Sequence, residues 1–352
     1  MRVAAVDLVP YRLPLTEAVT WNGERCTTRE GALLRLGDDQ GRAGWGDLAP
    51  LPGFSRETLP EAMTALTEAL PEVLRRDLDP DDLTDPSGPF DTALDAAGLP
   101  SSARFALDLA LADLAAQALG RTLPQVLASD PAAQLPLNGL LMGGPEAVVA
   151  QARRLGAEGY SAVKLKVGRA PVETDIETVR AVREALGEGV ALRLDANRAW
   201  SNKGARQFAD AVVSLSIDYI EEPLADSSGL AALARDTGLP VAVDESVQEG
   251  AAIEGWAAAA VLKPTLVGGL MATLRLGAKA RASGVRTVLS ASFESGFGLR
   301  GVAALAAATG AEPAGLDTYR WLAEDVVPPL PFDRPVVDVP ALFAAPPEVA
   351  IP

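Results

Sequence analysis

Charged side chains follow five apolar segments in the second half of the chain, each at the point where the segment ends. These ends carry Lys164 and Lys166, Arg193 and Asp195, Glu221, Asp244, and Lys263. A buried charge is costly unless it is paired or bound to a metal. Five such ends in succession therefore indicate a functional site.

Three of these residues form an all-oxygen set: Asp195, Glu221 and Asp244. Carboxylates without histidine or cysteine suit Mg²⁺, with Mn²⁺ as the alternative, and water and substrate oxygens would complete an octahedron. Each carboxylate alone could instead pair with a neighbouring lysine or arginine, which is a common structural arrangement. Their repetition on three adjacent strands favours the metal site.

Lys164 and Lys166 are two residues apart, so both side chains point to the same face of a strand. Two neighbouring ammonium groups lower each other's pKa, which makes one of them a candidate base near pH 7. Lys263 lies four strands further along and is expected across the mouth of a barrel. Two such groups around a bound metal suit removal of a proton alpha to a carboxylate, with the metal stabilising the enediolate.

The composition excludes several other chemistries. The 352 residues contain no histidine and one cysteine, Cys26, which removes Ser-His-Asp and Cys-His nucleophiles, imidazole zinc sites and disulfide frameworks. The formal net charge of −16 disfavours nucleic acid as a partner. We see no signal peptide and no apolar run long enough to cross a membrane, so a cytoplasmic protein with no membrane partner is expected.

The elements that must position these residues change in type along the chain. The first 50 residues alternate as strands, and helical periodicity follows over 58–74 and 101–118. Short strands then alternate with helices, over 135–141, 162–166, 191–195, 219–221, 241–244, 260–263, 285–290 and 315–317. Seven βα units and a last strand predict an α/β protein with a (β/α)₇β, TIM-like barrel. We predict an α+β domain over 1–125, a catalytic barrel over 130–318, and a tail over 320–352 that returns to the first domain.

Residues 296–301 match the G-x-G-x-x-G pattern of dinucleotide-binding folds. Their place in the seventh βα unit leaves too little chain for the second half of a Rossmann fold, so an NAD site is disfavoured. The alternative is a glycine-rich turn whose helix N-terminus, at Gly296, binds an anionic group of the substrate. In the N-terminal domain, the rigid loop 50–55 carries Phe54, a candidate lid over the barrel mouth.

Together these motifs resemble the enolase superfamily and, within it, the muconate-lactonizing-enzyme subgroup. The resemblance implies that the α+β domain caps the barrel. It implies that Asp195, Glu221 and Asp244 bind Mg²⁺, while Lys166 and Lys263 are the acid/base residues and Lys164 supports them. The mandelate-racemase branch uses a histidine base and is excluded because this chain has none.

Within the subgroup, the loop 49–55, Arg193 and the segment 290–292 resemble o-succinylbenzoate synthases. The resemblance implies a small anionic carboxylate substrate, 2-succinyl-6-hydroxy-2,4-cyclohexadiene-1-carboxylate, and its syn elimination to o-succinylbenzoate in menaquinone biosynthesis. Lys166 would remove the proton, Lys263 would act through its charge, and Arg193 would orient Lys166. An N-succinylamino acid racemase or a muconate-type cycloisomerase is the alternative. The residues expected to contact the substrate are Ser290, Ser292, Gly296 and Phe54.

Overall fold

The N-terminal region of the computed structural model is a three-stranded antiparallel sheet packed against helices. The structure describes residues 1–21, 24–310, 312–332 and 334–349. The sheet has the strand order β1 (Val3–Trp21), β2 (Glu24–Asp38), β3 (Ala43–Leu48). The helices of this region are α1 (Leu59–Leu74), α2 (Pro89–Ala96), α3 (Ser101–Leu119) and α4 (Leu123–Leu127).

Helix α3 lies directly against strand β3 because two positions of the strand have no side chain. A Cβ atom at Gly44 or Gly46 would overlap the backbone of Ala110 or Ala106 in the helix. Buried leucines and alanines of β2, α1 and α3 fill the remaining space and form the core of this domain. The alternation of the first strands and the periodicity of the long helix thus correspond to one packed layer on another.

Seven parallel strands form the second sheet, in sequence order and joined by helices. The strands are β5 (Asn138–Leu141), β6 (Ala162–Lys166), β7 (Ala191–Asp195), β8 (Ile217–Glu221), β9 (Val241–Val243), β10 (Ala259–Leu262) and β11 (Arg286–Leu289). The helices are α5 (Pro145–Ala157), α6 (Val172–Leu186), α7 (Asn202–Val212), α8 (Leu230–Thr237), α9 (Glu245–Gln248), α10 (Pro264–Val267), α11 (Leu270–Ala282) and α12 (Gly296–Thr309). Each strand pairs in parallel with its sequence neighbour, and a helix connects one strand to the next.

The segment expected as the eighth strand, 315–317, closes the sheet with single bridges instead of a full strand. Ala314 bridges Leu137 and Gly315 bridges Ser290, both in parallel orientation. The amide of Asn138 donates to the carbonyl of Ala314 at 2.8 Å, so the seam between β11 and β5 is hydrogen-bonded. The structure therefore confirms the predicted (β/α)₇β barrel with an N-terminal domain, although its last strand is shorter than predicted.

The C-terminal tail contacts both domains. Leu322 bridges Leu15 of β1, while β12 (Val336–Asp338) pairs antiparallel with β4 (Gln134–Pro136), and a short helix, α13 (Val339–Leu342), follows. The tail thus contacts the first domain at Leu322, as predicted, and it also contacts the start of the barrel through β12. Positions 333 and 350–352 of the predicted tail lie outside the described residues, and the domain boundaries stay predictions. No helix in the described ranges is long and apolar enough to cross a membrane.

Asp113 of helix α3 makes the stability of the N-terminal domain dependent on pH. Burial raises the pKa of its carboxyl group to about 6, although the amide of Trp45 donates to it at 3.1 Å. Folding favours the protonated form of this carboxyl group, so its contribution to stability is fully present below the pKa of an unfolded aspartate, near 4. The contribution is lost as the pH rises through the folded pKa of about 6. We expect the free energy of unfolding of Asp113→Asn to rise by about 1–2 kcal/mol relative to the wild type between pH 4 and pH 7, a value that already allows for the partial exposure of this side chain.

Urea unfolding of both proteins at pH 4 and pH 7 measures this difference. Asp39→Asn, at an exposed position in the β2–β3 turn, is the control and should leave the pH dependence unchanged. Parallel pH dependences of the wild type and Asp113→Asn would contradict the assignment of this effect to Asp113.

Candidate active site

A cavity of about 110 Å³ lies at the carboxyl ends of the barrel strands, beneath the N-terminal domain. The cap contributes Val19, Thr20, Leu51 and Phe54 to its lining. The barrel contributes an apolar wall that includes Leu140, Met142 and Phe293, and a polar floor that includes Asn138, Lys164, Lys166, Asn197, Lys263, Ser290 and Ser292. The cavity thus combines apolar walls with three lysines, as a site for a small anionic molecule requires.

Each of the three lysines forms an ion pair with at least one of the three carboxylates predicted to bind a metal. The ammonium of Lys166 donates to Asp195 Oδ2 at 2.6 Å, and that of Lys164 lies 3.1 Å from the same oxygen and 3.0 Å from Glu221 Oε2. Lys263 forms an ion pair with Asp244. The structure brings together all six of these residues at one end of the barrel.

Strand register explains why these residues meet. Lys166 pairs with Asp195 across β6 and β7, and Asp195 pairs with Glu221 across β7 and β8. Side chains two residues apart on a strand share a face, so Lys164 joins Lys166 inside the barrel. The intervening Leu165 packs in the core between the sheet and the helices. The prediction that the lysine pair faces inward is consistent with this packing.

The environments of Lys166 and Lys263 favour different protonation states. Burial lowers the pKa of Lys166, and the positive charges of Lys164 and Lys263 add to this effect against the attraction of Asp195. Burial also acts against the charge of Lys263, but the ion pair with Asp244 outweighs it and raises the pKa. Lys166 is therefore the lysine that more readily becomes a neutral amine, and Lys263 is the one that stays a cation.

The three carboxylates fit a divalent cation in donor type. They are at most 1% exposed, and burial together with repulsion from Asp195 and Asp244 raises the pKa of Glu221 to about 8. Such crowding of buried carboxylates is relieved by a cation. Within the described ranges no three acidic groups are already gathered around one point, because Asp244 is turned to Lys263 while Asp195 and Glu221 share Lys164.

A second row of residues, which the sequence reasoning did not single out, supports Lys166. Asn197 Oδ1 accepts from the ammonium of Lys166 at 2.7 Å, and its amide donates to Glu245 Oε1 at 2.9 Å. The other carboxylate oxygen of Glu245 is buried without a hydrogen-bond partner among the described residues. Asn197 has a φ of 42°, an uncommon backbone conformation that often accompanies functional sites. The Asp-Ala-Asn spacing was the sequence signal for this residue.

Three of the four predicted substrate contacts line the cavity. Ser290 and Ser292 lie on its barrel side, and the buried hydroxyl of Ser292 has no hydrogen-bond partner in the described part of the chain. The ring centroid of Phe54 lies 6.0 Å from the ammonium of Lys263, a cation–π distance. These placements agree with a role in substrate binding, which stays a prediction.

The predicted role of Arg193 in orienting Lys166 is wrong, because the guanidinium points to the other end of the barrel. It binds Asp218 at 3.0 Å and Glu312 at 2.9 Å, next to the starts of β8 and of the closing segment. It also stacks on the ring of Tyr219, 5.1 Å from the centroid. Arg193 shares the inward face of β7 with Asp195, but its long side chain runs toward the amino ends of the strands.

The predicted anion site at Gly296 is also wrong, because the protein fills this helix terminus itself. The amide of Gly296 donates to both carboxylate oxygens of Asp325 at 3.0 Å, and the amide of Ser295 donates to Asp47 at 2.8 Å. Both carboxylates satisfy the free amides and the positive end of helix α12. The glycines of this turn serve close packing, since a Cβ atom at Gly298 would lie 2.6 Å from Asp47 Oδ2.

Both domains match known protein families. Residues 2–113 match the family "MenC, N-terminal domain", and residues 147–343 match "Enolase C-terminal domain-like". The o-succinylbenzoate synthase of Klebsiella pneumoniae (strain 342) is 35% identical over 350 residues, which cover 97% of this chain and 99% of the relative. The o-succinylbenzoate synthase of Edwardsiella ictaluri (strain 93-146) is 37% identical over 318 residues, 88% of this chain and 89% of the relative.

Solved structures show the same fold. The muconate lactonizing enzyme of Pseudomonas fluorescens, complexed with muconolactone, superposes with a TM-score of 0.86 at 22% identity, covering 99% of this chain and 96% of that chain. A dipeptide epimerase of Enterococcus faecalis V583, complexed with Mg and a dipeptide, superposes with a TM-score of 0.82 at 23% identity. The superposition covers 93% of this chain and 94% of that chain. With the sequence matches above, the chain belongs to the o-succinylbenzoate synthase family of the enolase superfamily, and it is an enzyme of the lyase class.

Proposed function

We propose that this enzyme converts 2-succinyl-6-hydroxy-2,4-cyclohexadiene-1-carboxylate to o-succinylbenzoate in menaquinone biosynthesis. The observation that carries the proposal is the set of three lysines and three carboxylates buried at one end of the barrel. Relatives of that name, at 35% and 37% identity over most of the chain, support the choice of substrate. The apolar cavity wall suits a six-membered ring, and the ammonium groups suit its carboxylate.

Lys166 is the base in this proposal. Its neutral amine takes the proton from the carbon alpha to the ring carboxylate, and the electron pair of that C–H bond enters the ring. The hydroxyl group on the neighbouring carbon leaves with the electrons of its C–O bond, and Lys166 returns the proton to it. One water molecule is lost, the ring becomes aromatic, and the lysine is again neutral.

The other charged residues hold the substrate and its developing negative charge. Asp195, Glu221 and Asp244 would hold a divalent cation, proposed to be Mg²⁺, which when bound supplies positive charge to the substrate carboxylate. Lys263, kept cationic by Asp244, faces the ring from across the cavity, where its charge stabilises the electron-rich ring. Lys164 bridges Asp195 and Glu221 and reduces the repulsion between them.

The test is direct turnover. The purified enzyme is mixed with the cyclohexadiene substrate and Mg²⁺, and the absorbance of the aromatic product is followed. We expect conversion with a kcat/KM of at least about 10⁴ M⁻¹s⁻¹, in the usual range for enzymes. The absence of product above the uncatalysed rate would contradict the proposed reaction.

The second candidate is an N-succinylamino acid racemase on the same scaffold. It is favoured by one observation: Lys166 and Lys263 border the same cavity from different strands, as proton exchange on two faces of a substrate requires. Incubation of an N-succinylamino acid in D₂O separates the two activities. A racemase exchanges the alpha proton for deuterium, whereas a dedicated synthase leaves it in place.

Arg169 is expected to bind a second carboxylate of the substrate, the one on the succinyl group. It lies at the rim of the cavity just beyond β6, and it has no ion-pair partner among the described residues, unlike the three lysines. An unpaired guanidinium attracts an anion to a protein of net charge −16. Arg169→Gln should raise KM about 10-fold and leave kcat within a factor of about two, since one charged hydrogen bond is lost.

Steady-state kinetics at low and physiological salt measure this change. Arg153→Gln, which removes an exposed arginine from helix α5, outside this cavity, is the control and should keep the KM of the wild type. An unchanged KM in Arg169→Gln would show that the succinyl group binds elsewhere.

A further inference from the structure

Arg29 of strand β2 is a fully buried arginine whose hydrogen bonds within the described residues all go to backbone carbonyls. It is 1% exposed, and within the described ranges no carboxylate forms an ion pair with it. Its Nε donates to the carbonyl of Phe293 at 2.9 Å, and its Nη1 donates to that of Pro50 at 2.8 Å. Its remaining bonds go to the carbonyls of Ala49 and Glu30. A buried charge with this arrangement needs a reason other than an ion pair.

Three of the four carbonyls that Arg29 binds belong to two loops that lead into the cavity lining, one from the cap and one from the barrel. Ala49 and Pro50 belong to the cap and lead directly into Leu51 and Phe54, which line the cavity. Phe293 belongs to the barrel and also lines the cavity. One guanidinium therefore links the cap loop to the barrel loop beside the cavity.

The backbone of Phe293 depends on an external restraint. Its φ is 60°, in the left-handed region, where a bulky residue is an outlier. Such a conformation persists only where surrounding contacts hold it. The bond from Arg29 Nε to the Phe293 carbonyl is a restraint of this kind. The neighbouring Ser292 has a buried hydroxyl with no partner among the described residues, and its amide donates to the carboxylate of Glu294 at 2.5 Å.

A second link between cap and barrel lies beside Arg29 but holds a different part of the loop. Asp47 accepts hydrogen bonds from the amide of Ser295 at 2.8 Å and from its hydroxyl at 2.9 Å, and from Tyr11 at 2.7 Å. This link anchors the start of helix α12. Loss of Arg29 would thus release the cavity wall at 292–293 and the loop 49–55 while Asp47 keeps the domains together.

We propose that Arg29 is a positioning residue that fixes the relative position of two loops in the cavity lining by tying the loop 49–55 to the loop after β11. The planar fork of a guanidinium reaches carbonyls in three directions, which a lysine ammonium on a flexible stem does not reproduce. Arg29→Lys keeps the charge and the approximate volume but loses this geometry. Substrate binding should weaken because the two loops that line the cavity lose their fixed relative position.

The chain offers a closely matched control in Arg183. This arginine is also buried, and among the residues that the structure describes it too donates only to backbone carbonyls, those of Leu215, Gly187, Val190 and Ser216. The donor pattern is the same: one bond from Nε, two from Nη1 and one from Nη2. Arg183 lies at the end of helix α6 and does not line the cavity. Arg183→Lys therefore removes the same chemistry from a place where only stability should respond.

The experiment compares both variants with the wild type in steady-state kinetics, thermal unfolding and amide hydrogen exchange. The kinetic part rests on the proposed function, and the exchange part does not. We expect Arg29→Lys to raise KM at least about 10-fold with a much smaller change in kcat, and to speed exchange of the amides of Leu51, Phe54 and Ser55. Arg183→Lys should lose comparable stability, keep KM, and leave these amides as protected as in the wild type.

Equal KM values and equal exchange in the two variants would overturn the inference, and so would equal rises of KM in both. A wild-type enzyme that forms no product refutes the proposed function alone, because the exchange comparison still tests Arg29. If Arg29→Lys does not fold, amide exchange of the wild type alone tests the link between the two loops. The wild-type amides at 49–55 and 292–293 should then open with the same free energy, and clearly different values would refute the link.

Discussion

Replacing Lys166 by alanine is expected to lower kcat by at least about 10³-fold, the largest effect of any single substitution in this enzyme. The base that removes the alpha proton is then missing, and the remaining lysines stay cationic because their carboxylate partners hold the charge. KM should change far less, since substrate binding also depends on Lys263 and the cavity walls. Single-turnover kinetics with the cyclohexadiene substrate would measure the chemical step directly.

Two companion variants make this test specific. Lys263→Ala should lower kcat about 10²-fold, because this variant lacks a stabilising charge but keeps the base. Lys203→Ala removes an exposed lysine from helix α7 and should behave as the wild type. If neither Lys166→Ala nor Lys263→Ala reduces turnover by about 10²-fold, the assignment of the base is wrong.

Removal of divalent metal is expected to reduce turnover by at least about 10³-fold, with full recovery when Mg²⁺ is added back. Asp195, Glu221 and Asp244 are buried at the ends of adjacent strands, and burial and the acidic neighbours of Glu221 raise its pKa to about 8. Glu221→Gln should weaken the binding of Mn²⁺ to the free protein, as measured by electron paramagnetic resonance, as well as activity. The binding measurement is independent of the reaction assay.

The control is a carboxylate at the opposite end of the same barrel. Glu312 pairs with Arg193 at 2.9 Å, so Glu312→Gln should affect stability and leave Mn²⁺ binding unchanged. Unchanged turnover in an excess of chelator, with the protein shown to be free of metal, would rule out the metal site. Equal Mn²⁺ affinity of Glu221→Gln and the wild type would place the ion elsewhere.

The chemistry of the strand ends was predictable from sequence because parallel strands have strong local rules. Apolar runs of about five residues alternate with helices, and parallel pairing brings all their carboxyl ends to one edge. Once the barrel is predicted, the charged residues at these ends are expected to lie near each other: Lys164, Lys166, Asp195, Glu221, Asp244 and Lys263. The observed register, with Lys166 beside Asp195 and Asp195 beside Glu221, agrees with that reasoning.

Long side chains and loop contacts were less predictable. Arg193 shares a face with Asp195, but the local pattern does not say toward which end of the barrel a long side chain extends, and Asp218 and Glu312 decide that. At Gly296, the helix terminus suits an anion in general. The tertiary structure brings Asp325, nearly 30 residues away, to the same amide.

The sequence by itself determined the fold class, the inward lysine pair and the acidic strand ends, since each depends on residue type and on the two-residue period of a strand. Only the tertiary structure decided how the cap meets the barrel: Phe54 over Lys263, Arg29 between two loops, and Asp47 on Ser295. The contacts that run from cap to barrel, such as Arg29 to Phe293 and Asp47 to Ser295, join residues more than 200 positions apart in the chain. No local periodicity encodes such pairings, because they depend on how two independently formed surfaces fit together.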